Sequence, residues 1–215
     1  MPSTTTEPAV DGRRTDTRQR LVQAAMRLFA ARGYAGTSVA EIEGAVGLRP
    51  GSGGLYRHFP SKEALLLAAV EQYHARVREL RAALAESRRQ RGTARTLAAE
   101  MRDLVGALAQ FLATEQPVLQ VTLDVTSLPA GVRPAVAAAW DDGYGMAADI
   151  LTAHGVAPAE AGALAVAAIG SLSHYAAQIG TWGQEPFGVP VLSYLDAWSK
   201  LWEGALRPPS GRRSR

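Results

Sequence analysis

The stretch TSVAEIEGAVGLRPGSGGLYRHFPSK, from Thr37 to Lys62, decides how the chain is read. Ser38 can cap a helix with its hydroxyl, and Glu41, three residues on, completes a capping box. Val39, Ile42 and Val46 recur at helical spacing, which predicts a short helix with one buried face. Gly47 can take the left-handed conformation that closes such a helix. Leu48 to Gly51 then form a turn, with Pro50 suited to a helix start. A second short helix is expected from Ser52 to Arg57 or His58; Pro60 breaks it and Ser61 opens the next one. A short helix, a glycine-started turn and a second short helix outline a helix-turn-helix. The exposed edge of the second helix would carry Arg49, Ser52, Tyr56, Arg57 and His58, the cationic and hydroxyl groups that a reader of the major groove needs.

Upstream, Leu21, Ala25, Leu28 and Phe29 form the apolar stripe of a first helix, Asp16 to Arg32, capped by Thr15 or Asp16 and stopped by Gly33. GTSVAEIEGAVGL followed by LYRHFPSKEALL resembles the DNA-binding domain of the TetR (tetracycline repressor) family of bacterial transcriptional regulators. TRQRLVQAAMRLFAARGYAGTSV is similar to the family's first helix. The likeness covers Thr17 to Val70 by motif; beyond that it is an all-helical layout of compatible length. The Gly47 to Leu55 interval is longer than the family's usual spacing, with the extra material in Pro50-Gly51-Ser52-Gly53-Gly54. Glycine costs about 1 kcal/mol against alanine inside a helix, so the second helix is expected to start late or to order its first turn on DNA.

The resemblance implies that Thr37, Ser38, Tyr56, His58 and Lys62 position the head on phosphate. Arg49, Ser52, Gly53 and Arg57 are then the candidates for base-edge or close backbone contact. Lys62 has a second argument. A cation in the first turn of a helix is opposed by the helix dipole, and a phosphate docked at that helix start would reverse the penalty.

Composition sets outer bounds. The chain has 215 residues, 47% hydrophobic and 20% charged, as folded globular proteins do. It has no cysteine, hence no disulfide framework and no thiolate metal site. No apolar run reaches membrane-spanning length, and the first residues contain no stretch of signal-peptide type, so a cytoplasmic protein without a membrane partner is expected. The net charge of +3 is unevenly spread. Asp11 to Lys62 holds nine basic and four acidic residues, whereas Glu63 to Leu206 holds ten basic and fifteen acidic ones. A basic head on an acidic body attracts a polyanion to one end only.

The whole chain reads as all-α, with about nine helices. Residues 1–12 are expected to be a disordered arm, 13–73 the three-helix DNA-binding head, 74–206 a larger regulatory and dimerisation body, and 207–215 a disordered basic tail. Arg13, Arg14 and Arg18 either reach phosphate from the arm or are solvated there. The fourth helix, Ser61 to Ser87, carries Leu66, Val70, Tyr73, Val77, Leu80 and Leu84 on one seam and is the expected lever between head and body. Later helices are expected over 94–114, 117–125, 132–154, 158–181 and 189–206. The last two expose enough apolar surface to be covered by a second copy, as in the family's paired helices.

Sites for catalysis or metal are not indicated. His58, His74, His154 and His174 show no metal-ligand spacing, and no nucleophile stands beside a base. Asp141 and Asp142 are adjacent and diverge on a helix. Gly51 to Gly54 lacks the Gly-Lys-Ser/Thr ending of a phosphate loop. No cofactor and no enzyme activity is expected. Met101, Phe111, Trp140, Tyr144, His174 and Gln178 are the candidates for an effector cavity, each set against the default that such side chains fill a core. The expected function is that of a ligand-responsive regulator, a homodimeric repressor on a pseudo-palindromic operator, released by a small molecule. A constitutive DNA-binding dimer, and an enzyme or carrier with a helix-turn-helix-like head, are the alternatives.

Overall fold

The periodicities above become helices almost throughout. The structure is a computed structural model that describes residues 9–92 and 95–205, with side chains described over 15–92 and 95–202. Its α-helices are α1 (Ala9–Arg32), α2 (Val39–Ala45), α3 (Lys62–Arg91), α4 (Leu97–Thr114), α5 (Gln116–Leu123), α6 (Arg133–Ala153), α7 (Pro158–Trp182) and α8 (Val191–Ala205). Single 3₁₀ turns occupy Leu55–Arg57, Val125–Ser127 and Pro186–Gly188, and no strand occurs among the described residues. No described helix is long and apolar enough to cross a membrane.

Two expectations are corrected at this level. α1 begins at Ala9, so residues 9–12 of the expected disordered arm are helical and Asp16 lies inside the helix. The rest of that arm and the basic tail lie outside the described residues. The second helix of the helix-turn-helix is a single 3₁₀ turn, Leu55–Arg57, beside eight α-helices among the described residues.

The chain separates into two compact units. The first takes the residues up to Ala75 together with Pro117–Ala139; the second takes Arg76–Gln116 and everything from Trp140 on. The placing of α5 and the start of α6 in the first unit is not legible in the motif.

The first unit is built on α1, whose Leu21, Ala25 and Phe29 are buried, with Ile42 from α2, Leu55 from the turn, and Leu65, Leu66 and Val70 from α3. A leucine fully removed from water contributes about 1.5–3 kcal/mol, so these few side chains set the helix angles. Leu119, Leu128, Val132 and Val136 add the later segment. Gly131 sits where a Cβ would lie 2.7 Å from Glu63 Oε1, so only glycine fits there without a shift.

In the second unit, α4 packs against both α7 and α8. Thr96 caps α4 by accepting from Ala99 N–H. Leu104, Leu108 and Leu112 face inward from α4, and Ala161, Ala165, Ala168 and Leu172 from α7. The Trp198 indole N–H donates to Ser171 Oγ at 2.9 Å, tying α8 to α7. Tyr175 and Tyr194 stack at 3.9 Å between ring centres, and the Tyr175 hydroxyl donates to the Val189 carbonyl at 2.6 Å. Charged side chains also link helices: Arg76 to Glu115 at 2.6 Å, and Arg81 to Asp142 at 2.7 Å and Asp149 at 2.8 Å.

Candidate nucleic-acid interface

The reading turn is assembled from bonds that end on backbone. α2 starts at the predicted capping box: Ser38 Oγ accepts from Glu41 N–H at 3.2 Å, and Glu41 Oε2 accepts from Ser38 N–H at 2.7 Å. The Ser38 N–H holds the Glu41 carboxyl below its ordinary range, aided by Arg32 at 2.6 Å. Gly47 takes φ 78 and closes α2, as its position suggested. The Arg20 guanidinium donates to the Val46 carbonyl at 2.7 Å, fixing the end of α2 to α1.

Beyond Leu48 the chain does not return to a helix, and the glycines explain why. Gly51 and Gly53 both take φ 74, a left-handed backbone in which a continuing right-handed helix cannot be built. The loop is held instead by Glu43, which is fully buried. Its Oε2 accepts from Gly51 N–H at 2.8 Å and its Oε1 from Leu55 N–H at 2.9 Å. One carboxylate therefore fixes both the crest of the loop and the first residue of the 3₁₀ turn. Gly54 lies beside it, with space so close that a Cβ would stand 3.1 Å from Leu48 Cδ1.

Glu43 was not anticipated from sequence. A signal existed: Val39, Ile42, Glu43 and Val46 share i, i+3, i+4, i+7 spacing, which puts the carboxylate on the buried stripe. A buried charge needs hydrogen-bond partners, and the only way to supply them here is a loop folded back over the helix.

The predicted interface residues fall into three groups. Ser38, Arg49, Ser52, Tyr56 and Arg57 are exposed, Tyr56 at 57% despite its aromatic ring. Gly53, His58 and Lys62 are half-buried. Thr37 is a correction: it is 1% exposed, and its hydroxyl donates to the Gly33 carbonyl at 3.0 Å, so its side chain does not face an outside phosphate. Lys62 is also turned inward. Its Nζ donates to the carbonyls of Tyr34 at 2.9 Å and Thr37 at 2.8 Å, and it lies 4.2 Å from the centre of the Tyr34 ring. Burial lowers its pKa, and burial followed by the Glu63 charge raises that of the Tyr34 hydroxyl. The dipole argument for Lys62 is thus answered by two backbone carbonyls. Arg18, placed by sequence in an arm, lies over the Phe59 ring at 4.6 Å.

Residues 21–69 match the family model described as bacterial regulatory proteins, tetR family. Residues 21–69 are thus a TetR-type DNA-binding domain by sequence. The TetR-type head is 45% identical over 56 residues to an uncharacterised HTH-type transcriptional regulator, YerO, of Bacillus subtilis; the match covers 26% of this chain and 19% of that protein. Over the longer chain the likeness is one of fold. The fatty acid degradation regulator FadR of Bacillus halodurans superposes with a TM-score of 0.65 at 18% identity, covering 95% of this chain and 99% of that one. FadR of Bacillus subtilis, solved in complex with stearoyl-CoA, gives a TM-score of 0.65 at 14% identity over 88% of this chain and 99% of that one. The matched family is one of bacterial regulatory proteins.

The six residues expected around an effector cavity lie on α4, α6 and α7 of the second unit. Met101 is buried at 3% exposure, and Phe111 is half-buried. Trp140 and Tyr144 lie against each other, 5.7 Å between ring centres. His174 is exposed and shares a 2.6 Å hydrogen bond with Gln178 one turn away. The second unit does contain two clefts. One, of about 260 Å³, lies among Leu112, Leu172, Tyr175, Ile179, Tyr194 and Leu195; the other, of about 420 Å³, is bordered by arginines of α3 and α4. None of the six lines either of these two clefts.

Proposed function

We propose that the chain is a ligand-responsive, DNA-binding regulator of transcription that acts as a homodimeric repressor. The observation that carries this reading is the exposed Arg49, Ser52, Tyr56 and Arg57 on a turn that buried Glu43 holds in place. Base edges and phosphates take such donors, and a rigid turn presents them without an ordering cost on binding. The TetR family match over the same residues supports the assignment.

Dimerisation through α7 and α8 is supported by their outward faces. Val166 is 50% exposed, Leu192 80% and Leu201 67%. Gly162 and Gly170, one turn either side of Val166, have open space where a Cβ would stand, so another helix can approach there. Two protomers would set two reading turns on half-sites of a pseudo-palindrome, about 34 Å apart or somewhat more. A small molecule bound in the body would shift the population of dimers whose heads match that spacing, with α3 as the lever, to the extent that it prefers one state.

Selection of bound duplexes from a random pool tests the reading. Enriched sites should show two-fold symmetry, and affinity should fall steeply with salt. Replacing Tyr56 and Arg57 by alanine should weaken binding at least tenfold while the melting temperature holds. Enrichment of no sequence, or of sites lacking symmetry, rejects the dimeric reader.

A further inference from the structure

The larger of the two clefts described carries a charge pattern opposite to the segment that contains it. Between Glu63 and Leu206 acidic residues outnumber basic ones, fifteen to ten. Yet the lining of the 420 Å³ cleft includes four arginines, Arg88, Arg91, Arg95 and Arg102, against two carboxylates, Glu100 and Asp103. Each carboxylate is already engaged. Glu100, only 8% exposed, lies 2.7 Å from Arg88 and 3.4 Å from His154 Nε2. Asp103 Oδ2 accepts from Arg91 at 2.7 Å and also from Arg95, so two guanidiniums converge on one oxygen. The remaining wall is apolar, with Leu84, Ala107 and Ile150.

We propose that this cleft binds an amphipathic anion, its oxyanion head on Arg91 and Arg95 and its apolar body against Leu84, Ala107 and Ile150. A guanidinium presents five donors in a planar fork suited to carboxylate or phosphate, and a single shared oxygen uses one from each arginine. Arg91 and Arg95 sharing one carboxylate oxygen beside an apolar wall match a molecule that carries a negative charge at one end and hydrocarbon at the other. The proposal names a site and a ligand class for the effector read above; only its regulatory half rests on that reading.

Gly106 provides a clean block. It lines the cleft, and a Cβ there would meet no atom within 4 Å, so Gly106→Phe can fill the space without a clash on α4. Calorimetric titration of the full chain with octyl phosphate, with octanoate and with uncharged octyl glucoside tests the proposal. One or both anions should bind once per chain and the glucoside should not; the stronger anion identifies phosphate or carboxylate as the head. Arg91→Gln with Arg95→Gln should weaken binding at least tenfold, and Gly106→Phe should abolish it with an unchanged melting temperature. Equal binding of the glucoside, binding by both variants as by wild type, or no binding of either anion overturns the cleft assignment. The selected operator duplex separates the two readings. Anion binding that leaves operator affinity unchanged keeps the cleft and removes its role as the effector site. Operator release by some other compound, with no anion bound, does the reverse.

Discussion

The two units hold their polar side chains to different ends. In the head, buried Glu43, buried Thr37 and half-buried Lys62 all bond to backbone groups. In the body, Arg76 and Arg81 bond to carboxylates from other segments, and Arg88 forms an ion pair with Glu100. A bond to backbone dictates the path of a loop, whereas a bond between side chains fixes only how two finished helices register. The head needs the first kind because its reading element is not a helix and has no ladder of its own.

The largest effect expected from this contrast is at Glu43. Glu43→Ala leaves two N–H groups without their acceptor, one of them on fully buried Leu55, and should cost about 2–3 kcal/mol in urea unfolding. The same variant should lose most operator binding, because the loop that carries Arg49 and Ser52 is no longer fixed. Wild-type operator affinity in the variant would break the contrast. The matching change in the body is Arg76→Ala. It strands the Glu115 carboxylate, 8% exposed, and should cost about 2 kcal/mol, less than a fully buried pair because Arg76 is partly solvated, with operator affinity intact.

Smaller effects sharpen the same comparison. Gly53→Ala places a side chain at φ 74 and should cost about 1 kcal/mol, with a proportionally larger loss in DNA binding. Gly106→Ala lies mid-helix in open space and should stabilise the body by about 0.5–1 kcal/mol without touching DNA affinity. A melting temperature that rises in the first or falls in the second would contradict the assigned backbone states.

The smallest expected effect is on acid stability. In the head the Ser38 backbone N–H, and in the body the Arg95 hydrogen bond, hold Glu41 and Asp103 below the ordinary carboxylate range. A carboxylate whose folded value is depressed contributes stability above its unfolded value, and loses it as pH falls through the folded one. Unfolding midpoints should therefore decline only below about pH 4, and Asp103→Asn should flatten that decline. A decline beginning near neutrality would point to other groups.

The helices were legible because their patterns are local. Ser38, Glu41 and Gly47 each act within one turn of their own position, and all three do what their types suggest. The failures are long-range. Ser52 to His58 reads as a helix until two glycines take the left-handed region and a carboxylate eight residues before the first of them binds the loop. Lys62 reads as a lone cation at a helix start, and the carbonyls of Tyr34 and Thr37, far back in the chain, come to it unannounced. The effector candidates line neither of the two clefts described. Trp140 and Tyr144 at helical spacing meet each other, and the arginines that border one cleft are scattered over two helices and their connection.

The Trp198 to Ser171 bond has a practical corollary. The chain has four tryptophans, at positions 140, 182, 198 and 202, and the division of the chain assigns every one to the second unit. Indole emission thus originates in the second unit, and a spectral shift on adding a compound to the DNA-free protein is a signal from that unit.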